Sequence, residues 1–496
     1  MALTREVKIG LVTAAATLAV GLLTLNQALV GVFYDDGLYA GLATALGSGH
    51  GYVHPHLPGL PAAVHYPPLY PVLLAPLFGA LPVKAAAIVG KVLNDLLSAG
   101  AAGLIAWHAA KTEFLGSRVP HWVAGAVVFA AGVAIPVLAT QGVLFAEPLF
   151  SGLLVVAVIE ADRSTRPWVA GVAAALALLT RSIGIAIVAG ILGFLLLHRA
   201  PKRVLLAVVL PGVLAAIAWG LWVLIHARQI DPALALNYGT YLAPVSQAGL
   251  SAVAANIRDL PRPLEVLAFG WIPVAWPYFV LAMTSLAIGL YGLVIVSRRS
   301  AIGLILVPYL FILAIWPYPP DRFLWAVLPW LALIWCVGLV ELSKRWSRLR
   351  IPLAVFASVA AGGYLYFEYR GVQSRGWASQ ARGISANFAE LLPVVQNLPD
   401  SAVLATDDEA LVWLYSRRSS VPLYLESYRG RELIRPTPAE HRAYLERMGV
   451  THVLLASATS PSAIELRALI GAYPSLFTAI YRWPDGRWLF AVNRGQ

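Results

Sequence analysis

Residues 9–39 read IGLVTAAATLAVGLLTLNQALVGVFYDDGLY, an apolar run over 9–30 followed closely by two adjacent carboxylates, Asp35 and Asp36. A stretch of about 20 apolar residues crosses a bilayer as a helix, and this one exceeds the core of an ordinary secretion signal, so it reads as a retained membrane anchor. Arg5 and Lys8 precede it. Neighbouring acids at the edge of a span are costly to desolvate and need a reason. One reason is local, because Asp caps helices well and Tyr39, Ala40, Leu42 and Ala43 continue with helical spacing. Capping uses one Asp, not two. The second reading is a general base with an electrostatic or metal-positioning partner.

The rest of the chain agrees with a membrane setting. Of 496 residues, 59% are apolar and 12% charged, with a mean hydropathy of +0.73. A soluble domain is about half apolar and roughly a quarter charged. The net charge of +11 and pI near 9.7 do not signal nucleic acid, because the basic residues sit in short clusters between apolar runs and not on one face. Cys336, alone in an apolar run, excludes an intramolecular disulfide and a cysteine-rich metal site.

Eleven spans are expected, near 9–30, 84–109, 121–139, 147–160, 167–180, 183–198, 204–226, 271–297, 302–318, 323–341 and 351–368. With that order, alternate loops carry 15 basic residues on one side, among them Arg5, Lys8, Lys111, Arg118 and Lys344. The opposite loops carry five, Arg181, Arg228, Arg258, Arg262 and Arg322, and the long first loop, 31–83, has none. The positive-inside rule then sets the N-terminus in the cytoplasm and the tail outside. The apolar stretch around Leu69–Leu81 is broken by Pro71 and Pro76 and flanked by Pro67, Pro68 and Pro82, so it reads as an interfacial helix of the first outer loop, 31–83. Trp271, Trp276, Trp316 and Tyr318 read as the interfacial aromatic belt.

The domain division expected is therefore a transmembrane domain over 1–368 and a small extracytoplasmic α/β domain over 369–496. The tail holds 14 of the 36 basic residues, all Arg. Residues 386–396 have helical spacing, 402–405 and 450–455 read as strands, and Phe477–Trp483 with Trp488–Val492 read as a hairpin around Pro484-Asp485-Gly486-Arg487. No glycine-rich phosphate fingerprint is present.

By this topology Asp35, Asp36, Glu147, Arg181 and Arg322 fall at the outer boundary. Acids and arginines gathered there suit a substrate with an anionic phosphate head and a lipid tail. The alternative is local pairing, as between Asp321 and Arg322, or snorkelling to the interface. The first loop also holds His50, His54, His56 and His65. His54 and His56, beside two Asp, are candidate ligands of a divalent metal, against the commoner reading of solvated loop histidines.

Together these elements resemble the GT-C superfamily, polytopic glycosyltransferases that use polyprenyl-phosphate sugars. The resemblance rests on the acidic pair with downstream Tyr39, the Pro-Pro-Leu-Tyr element at 67–70, Glu147-Pro148-Leu149, Leu179-Thr180-Arg181 between short helices, and Arg322-Phe323-Leu324 before a late span. It runs from about residue 5 to 345, nearest to the protein O-mannosyltransferase and lipid A aminoarabinose transferase types, glycosyltransferase groups 39 and 83. It implies an α-helical polytopic fold and an inverting transfer in a bacterial inner membrane. Asp35 would be the base and Asp36 would orient acceptor or sugar. Arg181, Arg322, Glu147, Tyr39, His65 and Tyr66 would form the substrate and phosphate-binding set. The implied partners are a polyprenyl-phosphate-linked sugar donor, membrane lipid, and a protein, glycolipid or polysaccharide acceptor. The chain departs from the aminoarabinose type at Tyr66, where that type has Lys, and at Leu38, near which it has Arg. Those phosphate contacts do not carry over.

Two other classes compete. A transporter or flippase predicts charge at mid-depth and paired repeats. Lys84 and Lys91 in the second span are the best signs of it, although Lys84 lies at the outer end of that span and Asp95 is one turn from Lys91. A scaffold subunit would leave the acidic pair without a purpose.

Overall fold

A computed structural model describes residues 3–241, 253–316, 320–425, 427–429 and 432–493. Tyr318 lies outside the described residues. Six helices among those described are long and apolar enough to cross a membrane: Arg5–Thr24, Val83–Lys111, Lys202–Gln229, Ala275–Val296, Asp321–Arg345 and the run Ser347–Gln396. The helices His121–Gly132 and Ile135–Gln141, bent by 63°, make a seventh if they cross as one broken span. The chain is thus a multi-pass helical membrane protein.

The expected count of eleven is not reached on these terms. The segments expected at 147–160, 167–180, 183–198 and 302–318 are helices of 17, 14, 13 and 15 residues. At about 1.5 Å per residue a 14-residue helix reaches roughly 21 Å, short of a hydrocarbon layer of about 30 Å. Apolar length in a sequence does not distinguish such a helix, sheltered by protein, from one that crosses lipid.

The chain divides into two compact units. The first comprises Met1–Asn26, Lys91–Gly220 and Leu250–Ser379, and the second Gln27–Gly90, Leu221–Gly249 and Gln380–Gln496. The division expected at 368 therefore differs from this grouping, which joins the first loop to the tail.

In the first unit, small residues let short helices pack backbone to backbone. A side chain at Gly190 would run into the backbone of Ile305, and one at Gly171 into Ala207 and Val208. Helix ends are capped by distant acids. Asp162 accepts from Ser300 Oγ at 2.6 Å and from the Ala301 N–H at 2.7 Å, at the start of Ala301–Ile315. Glu368 accepts from the Ile135 N–H at 3.1 Å, where the bent pair resumes. Each carboxylate satisfies a donor that the helix itself leaves open.

In the second unit the helices Asp35–Gly47 and Leu69–Ala80 pack through Gly47 and Gly79, where any Cβ would meet backbone. The tail forms a five-stranded sheet from β1 (Val403–Thr406), β2 (Ser419–Pro422), β5 (His452–Leu455), β6 (Phe477–Arg482) and β7 (Trp488–Val492), in the order β2-β1-β5-β7-β6. Strand β1 runs parallel to β2 and β5, and β7 antiparallel to β5 and β6. A second, two-stranded sheet pairs β3 (Ser427–Arg429) with β4 (Glu432–Ile434). The helix Ser379–Gln396, β1, β5 and the hairpin β6–β7 match the sequence reading, whereas β2 and the helices Glu409–Ser416, Pro438–Arg447 and Pro461–Ala472 were not anticipated. The tail is hydrogen-bonded to the end of the first apolar run and to the first loop: Leu29 N–H to Ser385 Oγ at 2.7 Å, Val30 N–H to Tyr415 Oη at 3.0 Å, and Ser420 N–H to the His56 carbonyl at 2.8 Å.

Candidate active site

The acidic pair sits on the first turn of Asp35–Gly47, and the two carboxylates do different work. Asp36 is buried, and its oxygens accept the N–H groups of Gly31 at 2.8 Å and Phe33 at 2.9 Å. It ties the loop back onto the helix. Between them Tyr34 adopts φ 63°, ψ −71°, and the Asp35 N–H donates to the Phe33 carbonyl at 2.7 Å. That is a γ-turn of the rare, strained hand, centred on a residue with a side chain. It is held by Asp36, by the packing of Gly31 on Leu411, and by an edge-to-face contact of Tyr34 with Tyr238 at 6.2 Å.

Asp35 is half-buried and receives the Tyr66 hydroxyl at 2.7 Å. Burial, then the charge of Asp35, pushes the Tyr66 phenol well above its ordinary range, so it stays a donor. Tyr39 is buried with its ring edge-on to Tyr66 at 5.0 Å and Tyr70 at 5.1 Å, and the Tyr52 hydroxyl donates to the Tyr66 carbonyl at 2.7 Å. His65 packs against Tyr66 at 4.8 Å and Tyr241 at 4.1 Å. Burial lowers its pKa, and its Nδ1 lies 2.8 Å from the Gly239 carbonyl. A carbonyl only accepts, so Nδ1 carries the proton and Nε2 of the neutral ring is a lone pair. Of the expected residues in this unit, Asp35, Tyr39, His65 and Tyr66 thus form one cluster.

Behind it lies a chain that sequence reasoning missed. His56 Nε2 is 2.9 Å from Tyr238 Oη, and that hydroxyl donates to Glu409 of the tail. All three are buried. Burial lowers His56 to about 3 and raises Glu409 to about 8. Asp408 rises to about 7 by burial, with the charges of Asp407 and Asp36 adding to it. The run Asp407-Asp408-Glu409 after β1 was the available signal, a second acidic cluster next to a strand end. His54 is fully buried against Tyr238, ring to ring at 4.8 Å. Among the described residues no three His, Cys, Asp or Glu side chains are arranged to hold a metal ion, and His56 turns to Tyr238.

The remaining candidates converge in the first unit. Glu147 opens the helix Glu147–Arg163 and is buried. Its Oε1 accepts from Arg181 and lies 3.6 Å from Arg322 Nε. The Arg181 guanidinium covers the ring of Phe323, next to Arg322, at 4.3 Å, and that of Arg322 covers Phe145, two residues before Glu147, at 4.2 Å. Arg181 separates Pro167–Thr180 from the short helix at Ser182 in an extended conformation, which turns its side chain out of the helical register. The loop before Glu147 is held by buried amides: Asn94 donates to the carbonyls of Val143 at 2.9 Å and Phe145 at 3.1 Å, and Asn26 to that of Gly142 at 2.9 Å. Lys91, expected to pair with Asp95, donates to Asn26 O at 3.2 Å and Oδ1 at 3.1 Å. Two guanidiniums are thus gathered on one carboxylate, and guanidinium donors are suited to phosphate.

No protein-family model and no curated protein sequence matches the chain. Solved structures do. The apo structure of ArnT from Cupriavidus metallidurans is similar over 97% of this chain and 97% of its own, with a TM-score of 0.57 and 17% identity. AglB, the archaeal oligosaccharyltransferase of Archaeoglobus fulgidus solved in complex with an inhibitory peptide and a dolichol-phosphate, is similar over 99% of this chain and 74% of its own, with a TM-score of 0.52 and 12% identity. The chain therefore has a GT-C-like fold.

Proposed function

We propose that this chain is a membrane glycosyltransferase that moves a sugar from a polyprenyl-phosphate donor to an extracytoplasmic acceptor with inversion. The observation that carries the reading is Asp35: a half-buried carboxylate just after the first span, presented by a strained turn and accepting a hydrogen bond from Tyr66. Strain of this kind persists where the surrounding structure over-determines it, and it clusters at reacting groups. The likeness to AglB, solved with a dolichol-phosphate and a peptide, supports a polyprenyl-phosphate donor. Protein, glycolipid and polysaccharide remain the acceptor classes.

Roles follow unit by unit. In the second unit Asp35 removes the proton of the acceptor nucleophile as that atom attacks the anomeric carbon of the sugar. The bond from that carbon to the phosphate oxygen breaks, its electron pair leaves with the lipid phosphate, and the configuration inverts. Asp36 positions the turn, Tyr66 keeps Asp35 ionised and oriented, and Tyr39 and His65 fix Tyr66. In the first unit Arg181 and Arg322 take the leaving phosphate, with Glu147 holding both guanidiniums in place. Loop charge supports a cytoplasmic N-terminus, and the hydrogen bond from the Ser420 N–H of the tail to the His56 carbonyl of the first loop supports an extracytoplasmic tail.

The test is a panel of radiolabelled polyprenyl-phosphate sugars in proteoliposomes. Label passing from lipid to acceptor, with release of polyprenyl phosphate, is the expected result. Label that crosses the bilayer while still on its lipid would instead make the chain a flippase.

A further inference from the structure

We propose that the Arg5 end of the first helix carries a binding site for one anionic phospholipid, separate from and independent of the sugar-transfer reading. The helices Arg5–Thr24 and His121–Gly132, with the loop before the second, wall a cavity of about 830 Å³ within the first unit. Arg5, Lys8, Val12 and Ala16 recur every three or four residues, so they share one face of the first helix. Trp122, Ala126 and Phe129 share one face of the second. The helices touch at Gly125, where a Cβ would press on Ile9 Cγ2 at 2.9 Å and Thr13 Oγ1 at 3.0 Å. This close crossing leaves a groove beside it.

The groove has two chemistries. Its floor is apolar and open, with Val12 68% and Trp122 65% exposed. Its rim is cationic, because Arg5 and Lys8 of one segment meet Arg118 of another around the same cavity. All three are exposed, and among the described residues none forms an ion pair. The neighbouring carboxylate, Glu6, faces His121 at 3.9 Å. A soluble anion would satisfy the rim and leave the floor against water or hydrocarbon. A phosphodiester headgroup with its acyl chain meets both, and basic pockets between membrane helices are where such headgroups bind. Positive-inside bias accounts for cations near a span, but not for their convergence from two segments on one apolar groove.

The experiment uses the full chain reconstituted in vesicles of phosphatidylcholine with or without phosphatidylglycerol, extracted gently, and the retained lipid identified by native mass spectrometry. The native chain should keep phosphatidylglycerol over phosphatidylcholine by at least about tenfold. The triple variant Arg5→Gln, Lys8→Gln, Arg118→Gln should lose that preference. Ala126→Phe, which fills the groove and leaves every charge in place, should lose it as well. Inorganic phosphate added in excess should not displace the lipid. Equal retention of the two lipids by the native chain, retention unchanged in either variant, or displacement by inorganic phosphate overturns the proposal.

Discussion

The Tyr66 hydroxyl donates to Asp35 across 2.7 Å from a position 31 residues downstream, out of a buried aromatic cluster that keeps it protonated. A hydrogen bond to a charged carboxylate stabilises the ionised form, by about 1.5–3 kcal/mol. Tyr66→Phe should therefore raise the pKa of Asp35. Sugar transfer should fall roughly ten- to a hundredfold near neutral pH, and the acidic limb of the pH–rate profile should move to higher pH. A slower variant with an unmoved limb would mean that Tyr66 acts on something other than Asp35.

Tyr34 separates strain from packing. Glycine takes positive φ without a steric penalty, alanine does not, and neither restores the contact with Tyr238. Tyr34→Gly should be more stable than Tyr34→Ala by roughly 1–3 kcal/mol, measured by thermal or denaturant unfolding of the second unit. Both should lose sugar transfer, because Asp35 is then less firmly aimed. Equal stabilities would show that the turn is relaxed in solution.

Glu147 stands between two cations. Removing one partner of a buried ion pair leaves an uncompensated charge, at a cost of about 3–5 kcal/mol. Glu147→Gln should be markedly destabilised and should fold better when Arg181→Gln is added. Arg322 is more exposed than Arg181, so Arg322→Gln should fold normally and raise the KM for the polyprenyl-phosphate donor while sparing the KM for acceptor. An increase in the acceptor KM alone would move Arg322 out of the phosphate role.

How much of this was legible in the sequence differs from element to element. The hairpin around Pro484-Asp485-Gly486 was legible because turn chemistry and alternation are local, and so was the pairing of span and acidic run at 9–36. Strand β2, Ser419–Pro422, was not, since three of its four residues are serine or proline and its place depends on pairing with β1. The short helix at 167–180 was legible too, since Arg181 ends its apolar run, but apolarity does not say whether so short a helix crosses the bilayer. Among site residues, Glu147, Arg181 and Arg322 stood out as charges at span ends. Tyr238 and Glu409 lie 171 residues apart, and no local pattern announces their bond. The turn at Tyr34 was equally silent, since a positive φ on a tyrosine is set by its surroundings.

The buried acids predict a pH dependence. Glu409 has an ordinary pKa near 4.5 and is raised to about 8 in the folded chain. Between those values the folded state holds a proton that the unfolded state has released, so stability falls as pH rises from about 4.5 to about 8. Asp408, raised from 3.8 to about 7, acts in the same direction. His56, lowered to about 3, works the other way, and its contribution is lost as pH falls below 6.5. Glu409→Gln keeps an acceptor for Tyr238 and removes the titration. Its melting temperature should vary less between pH 6 and pH 8 than that of the native chain, a window inside the Glu409 range. An unchanged slope would assign the dependence to other groups.

The most direct measurement is sugar transfer by the native chain and by Asp35→Asn, in the same proteoliposomes with the same labelled polyprenyl-phosphate sugar. Asparagine keeps the size of the side chain and the hydrogen bond from Tyr66 but accepts no proton. The account predicts that donor binding survives in Asp35→Asn while transfer of label to the acceptor is lost. Transfer at the native rate would contradict it and remove Asp35 as the base.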